Sequence, residues 1–384
     1  MAKVKDIAMQ IRGVSYHPED LHDNLDEDSV VLLRANNIKD GKLILDDVVY
    51  VSKSKVAEQQ YLQTGDILIC ASSGSKELVG KAAFVDSVKN PMTFGAFCKV
   101  VRPQPEYSEY LGHYFNSPVY RRKISALSAG ANINNIKNEH IDNLDIQLVD
   151  EKKRREIITI LNELNMLISL RKQQLFKLDE LVKARFVEMF GDISNSRKVP
   201  MQDVCKIITD GTHQPPKFVL SGIPFLFVSN IVTNEIHYDA EKFISEETYN
   251  ELIKRTPIEV GDVLLSTVGS YGHPAVVKEN KPFCFQRHIA YLKPNDSVVN
   301  SEYLRCAILS TDLQRQIDES VKGIAQKTLN LSEIRKLRLP LPSLSLQNQF
   351  AAFVERIDQQ KQTVQQSLEK LELMKKALMQ EYFG

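Results

Sequence analysis

Hydrophobic positions over Glu151–Phe190 advance in alternating three- and four-residue steps, through Leu161, Leu164, Ile168, Leu175, Leu178, Val182 and Met189. The stretch Leu344–Phe383 repeats the pattern with Val354, Ile357, Val364, Leu368, Leu371, Leu378 and Tyr382. This spacing keeps apolar side chains on one face and is the seam of a coiled coil, so two long helices that pair through these residues are predicted. Each would run about 40 residues and span about 60 Å, beyond the usual length of a helix in a globular core. Charged residues interrupt both seams: Arg171 and Arg185 in the first, Lys361 and Lys375 in the second. The helices are also copies of one another. At an offset of 193 residues, Leu161, Leu164, Leu175, Leu178, Phe190 and Gly191 fall on Val354, Ile357, Leu368, Leu371, Phe383 and Gly384.

The same offset carries Tyr110, Gly130, Ile141, Leu144 and Ile146 onto Tyr303, Gly323, Ile334, Leu337 and Leu339. With small gaps, Asn37-Ile38 matches Asn230-Ile231, Gly65-Asp66 matches Gly261-Asp262, and Arg102-Pro103 matches Lys293-Pro294. The chain therefore reads as two copies of a globular unit, each followed by a long helix. The boundaries fall at 1–148, 149–191, 192–341 and 342–384, with residues 191–200 as the linker between copies. In the first unit VVLLRANNI, KLILDDVVYV, DILICAS and KAAFVD are predicted strands, residues 107–126 a helix, and residues 144–148 a last short strand. In the second, KFVLSGIPFLFVSNI, DVLLSTVG and HIAYLKP are predicted strands and residues 301–321 a helix.

A chain of 384 residues accommodates two or three domains, and 43% hydrophobic with 26% charged residues is an ordinary globular composition. The zero formal net charge excludes a polybasic coat for nucleic acid but leaves room for a local basic groove. Five scattered cysteines without a CxxC pair suggest neither a disulfide framework nor a zinc knuckle, and fit a reducing cytoplasm. No secretory signal and no run long enough to cross a bilayer is visible.

The sequence holds no GxGxxG after a strand, no GxxxxGK[ST] loop, no HExxH and no GxSxG. It also lacks the Asp/Asn-Pro-Pro-aromatic motif expected of an amino-methyltransferase, so no catalytic residues are assigned. Cys284 and His288 have a ligand-like spacing but no further ligands nearby, so a buried Cys beside a hydrogen-bonded His is the reading and no metal is assigned. What remains are polar and basic loops at equivalent places of the two copies. The first offers Arg34, Asn36 and Asn37, then Ser73, Lys76 and Lys81, then Asn132 and Asn134. The second offers Thr212, His213, Gln214 and Lys217, then Ser229 and Asn230, Thr267 with Ser270 and Tyr271, Arg287 and His288, and Gln326, Lys327 and Thr328. Arg and Lys suit guanine and phosphate, Asn and Gln suit adenine, and Gly lets a backbone approach phosphate. Similar positions carry different residues, as two readers of different sequences require.

The chain resembles the specificity subunit of type I restriction-modification systems over essentially its whole length. The resemblance rests on IITDGTHQPPK at 207–217, the GDVLLS strand, QKTLNL at 326–331 and LPLPSL at 339–344, together with the duplication. The first copy departs from it where LVDEKK replaces the proline-rich entry to the helix. The resemblance implies an α+β chain of two target-recognition domains and two helices packed antiparallel as a spacer, with a pseudo-two-fold axis. Each domain would read half of a split double-stranded DNA target. The helices would set the spacing and hold two methyltransferase subunits, with restriction subunits in the full assembly. No cofactor would bind here, because S-adenosylmethionine, and ATP with its Mg, belong to those partners. A stand-alone DNA methyltransferase or nuclease, and a coiled-coil scaffold without a DNA role, are the alternatives.

Overall fold

The computed structural model describes residues 1–75, 77–128, 135–191, 198–323 and 327–384. Lys76, Asn132, Asn134, Gln326 and linker residues 192–197 lie outside the described residues. The chain forms two compact units, Met1–Lys172 with Gln366–Gly384, and Gln173–Gln365. Each helix is thus divided between them, unit 1 holding the start of Glu151–Phe190 and the end of Leu344–Phe383, and unit 2 the reverse.

The units share one topology. In unit 1 an antiparallel sheet runs Ala8–Arg12, Cys98–Pro103, Ile67–Cys70, Ala82–Phe84; in unit 2 it runs Cys205–Asp210, Ile289–Pro294, Val263–Ser266, Pro274–Val276. The central strand of each, ILIC or VLLS, is buried on both faces, which is why it reads as an unbroken apolar run. A second sheet contains one parallel pair in each unit, Met92–Phe94 with Ser29–Leu33 and Cys284–Phe285 with Ile223–Leu226. A third, two-stranded sheet closes each unit, Ala2–Lys3 on Asp145–Ile146 and Lys198–Pro200 on Arg338–Pro340. The linker therefore ends in strand, because residues 198–200 find an edge to pair with.

Where one helix is predicted over 107–126 and over 301–321, the structure has two: Ser108–Phe115 and Pro118–Ser128, then Ser301–Ile308 and Thr311–Ser320. The break has the same cause in both. Ser117 Oγ accepts the Tyr120 amide at 3.2 Å and Ser310 Oγ the Leu313 amide at 3.4 Å, so each serine caps a new helix.

Within each unit the long helices run antiparallel. In unit 1, Arg171 Nε donates to Ser367 Oγ at 3.2 Å and Lys172 pairs with Glu372 at 3.0 Å, while Ile157 and Leu161 share a core with Met379 and Phe383. In unit 2, Lys361 pairs with Asp179 at 2.9 Å and Phe350 packs on Phe186 and Phe190 at 5.5 and 5.4 Å. Leu161, Leu164, Val354, Ile357, Val364 and Leu368 are buried, and Ile168, Leu175, Leu178, Val182, Leu371 and Leu378 half-buried. Three of the four charged interruptions have polar partners: beyond Arg171 and Lys361, Arg185 pairs with Glu188 at 2.7 Å.

His113 in the unit 1 helix is 8% exposed, and burial pulls its imidazole down to about 4 against a hydrogen bond to Asn162. Its counterpart in unit 2 is Cys306, which burial pushes up to about 11 and which does not titrate in acid. A depressed histidine pKa means that the unfolded chain binds the proton first, so stability present above pH 6.5 is lost as pH falls toward 4. His113→Gln should remove up to about 3 kcal/mol of that acid loss. Unfolding temperatures from pH 7 to 4.5 check this, and parallel profiles for the two proteins would contradict it.

Candidate nucleic-acid interface

At one end of the antiparallel sheet of each unit, backbone hydrogen bonds tie separate loops into a row. In unit 2 the turn Gln286-Arg287-His288 is the hub. Its Gln286 amide donates to Leu226 O at 3.1 Å, beside the 228–230 loop, and its Arg287 amide donates to Thr212 O at 3.0 Å. The Thr267 amide donates to His288 O at 3.0 Å, and Thr267 O accepts the Leu329 amide at 2.8 Å, which adds the 327–328 segment. Loops predicted from distant parts of the sequence are thus neighbours in space.

Unit 1 builds the same row from the turn Gly95-Ala96-Phe97. The Gly95 amide donates to Leu33 O at 2.9 Å, the Val14 amide to Phe94 O at 2.8 Å, and the Ala71 and Ser72 amides to Phe97 O at 2.9 and 3.0 Å. The Ile136 amide then donates to Ala71 O at 2.7 Å. Glycine is required where the first segment crosses the hub: a Cβ on Gly13 would stand 2.2 Å from Gly95 O, and one on Gly211 2.2 Å from Phe285 O.

Within the rows the side chains divide. Asn37 and Asn230 are predicted as base readers and are instead loop girders. Asn37, 1% exposed, accepts the Arg34 amide at 2.8 Å and donates to Ile44 O and Asp47 O at 2.8 and 2.9 Å. Asn230 accepts the Phe227 amide at 2.9 Å and donates to His237 O and Asp239 O at 3.0 and 3.2 Å. A buried amide whose groups are satisfied by backbone has nothing left for a base. Thr267 is buried too and works through its backbone.

Gln214, Lys217, Ser229, Ser270, Arg287, Lys327, Asn36 and Lys81 are exposed, and Thr328 is half-buried. Arg34 and Asn36 share the Asp47 carboxylate at 3.3 and 2.6 Å. His213 Nε2 lies 2.9 Å from Asp210, which also binds Arg255 at 2.6 Å, so the His-Gln segment is braced from behind. Thr212 Oγ1 donates to Gln214 O at 2.9 Å, Ser73 Oγ accepts the Ser75 amide at 3.2 Å, and Tyr271 Oη donates to Asp318 at 2.9 Å. Burial and the neighbouring Arg287 lower the His288 pKa, and Arg287 Nε donates to His288 Nε2 at 3.3 Å. The hub of unit 2 therefore presents a guanidinium beside a neutral imidazole, a set suited to base edges. Cys284 is buried with its thiol pushed up to about 12 by burial, and no metal-holding cluster occurs among the described residues.

Two parts of the unit 1 row lie outside the sequence-predicted set: Val14, Ser15 and Tyr16, which occupy the place of Thr212, His213 and Gln214, and the turn at Ala96 and Phe97. The signal that finds the first of these is the glycine preceding each first segment, Gly13 and Gly211.

The type I restriction modification DNA specificity domain model matches residues 14–180 and again 194–373. The chain belongs to this family. It is 30% identical over 283 residues, 69% of the chain, to the type I restriction enzyme EcoKI specificity subunit of Escherichia coli (strain K12), covering 60% of that protein. It is 39% identical over 183 residues, 47% of the chain, to the StySPI specificity subunit of Salmonella potsdam, covering 39% of it. The chain thus spans less than two thirds of the length of these curated relatives. A crystal structure of a type I restriction-modification system S subunit from M. genitalium shares the fold at a TM-score of 0.52 and 14% identity, covering 100% of this chain and 95% of that one. A second structure, described as showing complex assembly and conformational transition of the type I R-M system, gives 0.57 at 18% identity, with 99% and 96% covered. No helix among the described residues is long and apolar enough to cross a membrane.

Proposed function

We propose that this specificity-domain protein is the DNA-recognition subunit of a type I restriction-modification complex, each unit reading one half of a bipartite double-stranded target. One observation carries the reading: the same row of loops recurs on the same scaffold in both units, held by four matching backbone bonds but faced with different side chains. Identical frames with different faces suit two half-sites of different sequence. The helices set the distance between half-sites and dock two methyltransferase subunits, to which restriction subunits add. Apolar residues left open on them, among them Met166, Leu170, Phe176, Val187, Leu373 and Met374, at 51 to 68% exposed, suit such docking. Methyl transfer and DNA cleavage belong to those partners, which hold S-adenosylmethionine and ATP with Mg.

Mapping the methylated adenines in DNA treated with the chain assembled with methyltransferase subunits tests this. The expected target is two specific blocks separated by a non-specific spacer, with no methyl transfer by the chain alone. A continuous target, or transfer that stays with the purified chain, would overturn it.

A further inference from the structure

The hub turn has the same build in both units and opposite chemistry. In unit 2, Gln286, Arg287 and His288 all carry hydrogen-bonding side chains; in unit 1, Gly95, Ala96 and Phe97 carry none. Both turns are closed alike, the Cys98 amide donating to Gly95 O at 2.8 Å and the Ile289 amide to Gln286 O at 3.1 Å. Phe97 thus takes the place of His288. Its backbone carbonyl holds two amides, from Ala71 and Ser72, so the residue is rigidly presented. Its ring is nevertheless 72% exposed, although Phe94, three residues earlier, is fully buried.

A single apolar side chain on a surface is common. This one stands at the centre of a row of loops built around it, at the position where the other unit places an imidazole beside a guanidinium. The small residues before it leave its ring as the only side chain of the turn large enough to reach outward. Phe can neither donate to nor accept from a base edge, so it can distinguish bases only by an apolar feature. The major groove offers one such feature, the C5-methyl group of thymine. Resting on the DNA-recognition reading above, we infer that Phe97 is a specificity-determining residue of unit 1, packing its ring against the C5-methyl of a thymine in the first half-site. Unit 2 has no such contact at its hub and reads there by hydrogen bonds. The two halves of the target should therefore respond differently to loss of methyl groups.

The test uses the full chain assembled with methyltransferase subunits and duplexes bearing the mapped target. Each thymine of each half-site is replaced singly by deoxyuridine, which removes the methyl and leaves pairing intact. Binding of the wild-type complex should fall about four-fold at one position of the first half-site, the effect of one buried methyl. The complex carrying Phe97→Ala should bind the thymine duplex more weakly and show no further loss with deoxyuridine at that position. Phe97→Leu, which keeps an apolar contact, should retain part of the discrimination. A first half-site without thymine would overturn the inference. So would deoxyuridine penalties equal in wild type and Phe97→Ala at every position, the outcome for a ring that only wedges or packs on backbone. If the complex does not distinguish the bipartite duplex from a scrambled one, the DNA-recognition reading itself falls; if it does and the coupling is absent, only the role of Phe97 falls.

Discussion

A chain in which residues 2–147 are replaced by the equivalent unit of a relative should direct methylation to a target with one new half and one unchanged half. The segment is a natural module because it closes on itself. Ala2–Lys3 pairs with Asp145–Ile146, and Tyr110 Oη donates to Gln147 O at 2.8 Å, just as Tyr303 Oη donates to Pro340 O at 2.7 Å in unit 2. The whole unit 1 row, from Val14 to Ile136, lies inside it, so its bases should be exchanged as a set. The donor must keep aromatic residues at the places of Tyr110 and Tyr114, since these meet Phe383 of the second helix at 5.2 and 5.8 Å. The methylome of cells carrying the exchanged subunit decides the matter. A change in both halves, or in neither, would show that one unit does not read one half.

The duplication and both long helices are legible in the sequence because each leaves a regular trace: a constant offset through Gly, Leu and Phe positions, and an apolar stripe repeated over many turns. Even the seam's charged interruptions make physical sense once partners are seen, as Lys361 with Asp179 at 2.9 Å illustrates. The helix breaks at Ser117 and Ser310 were written in the chain as well, each serine standing at a position able to cap, but the apolar periodicity on either side masks them.

The interface is only partly legible. A search for hydrogen-bonding residues finds Arg287, His288 and Gln214 and passes over Val14, which only the preceding Gly13 marks, and Phe97, an apolar loop residue with no such mark. Asn37 and Asn230 mislead in the opposite sense. Their amides look like adenine readers, and only tertiary structure shows that backbone carbonyls seven positions onward, Ile44 O and His237 O, consume them. Even the buried carboxylate just before the central strand of each sheet is built differently: Asp66 binds Arg102 at 2.7 Å, while Asp262 takes Tyr291 at 2.7 Å and Lys293 at 3.4 Å. Burial raises the Asp262 pKa against those partners. Equivalent letters therefore locate equivalent places and leave the chemistry at each place to be read from its neighbours.

The ends of the two helices should act on opposite copies. Phe383 belongs to the second helix yet is 3% exposed within the core of unit 1, against Tyr110 and Tyr114. Phe190 belongs to the first helix and is 3% exposed in the core of unit 2, with Tyr303 at 4.9 Å and Phe350 at 5.4 Å. Truncating either ring removes a large buried surface and leaves a cavity among rigid aromatics, a loss of about 3 to 5 kcal/mol. Phe383→Ala should therefore loosen unit 1, and Phe190→Ala unit 2, although each change is made in the helix that follows the other copy. Hydrogen exchange reads this directly: amides of Ile67–Cys70 and Cys98–Pro103 should lose protection in Phe383→Ala, and those of Val263–Ser266 and Ile289–Pro294 in Phe190→Ala. Phe383→Leu, which keeps most of the volume, should cost about 1 kcal/mol and leave the pattern unchanged. If Phe383→Ala deprotected the strands of unit 2 first, or if either alanine variant cost less than about 1 kcal/mol, the helix ends would not be the clamps that these ring contacts make them.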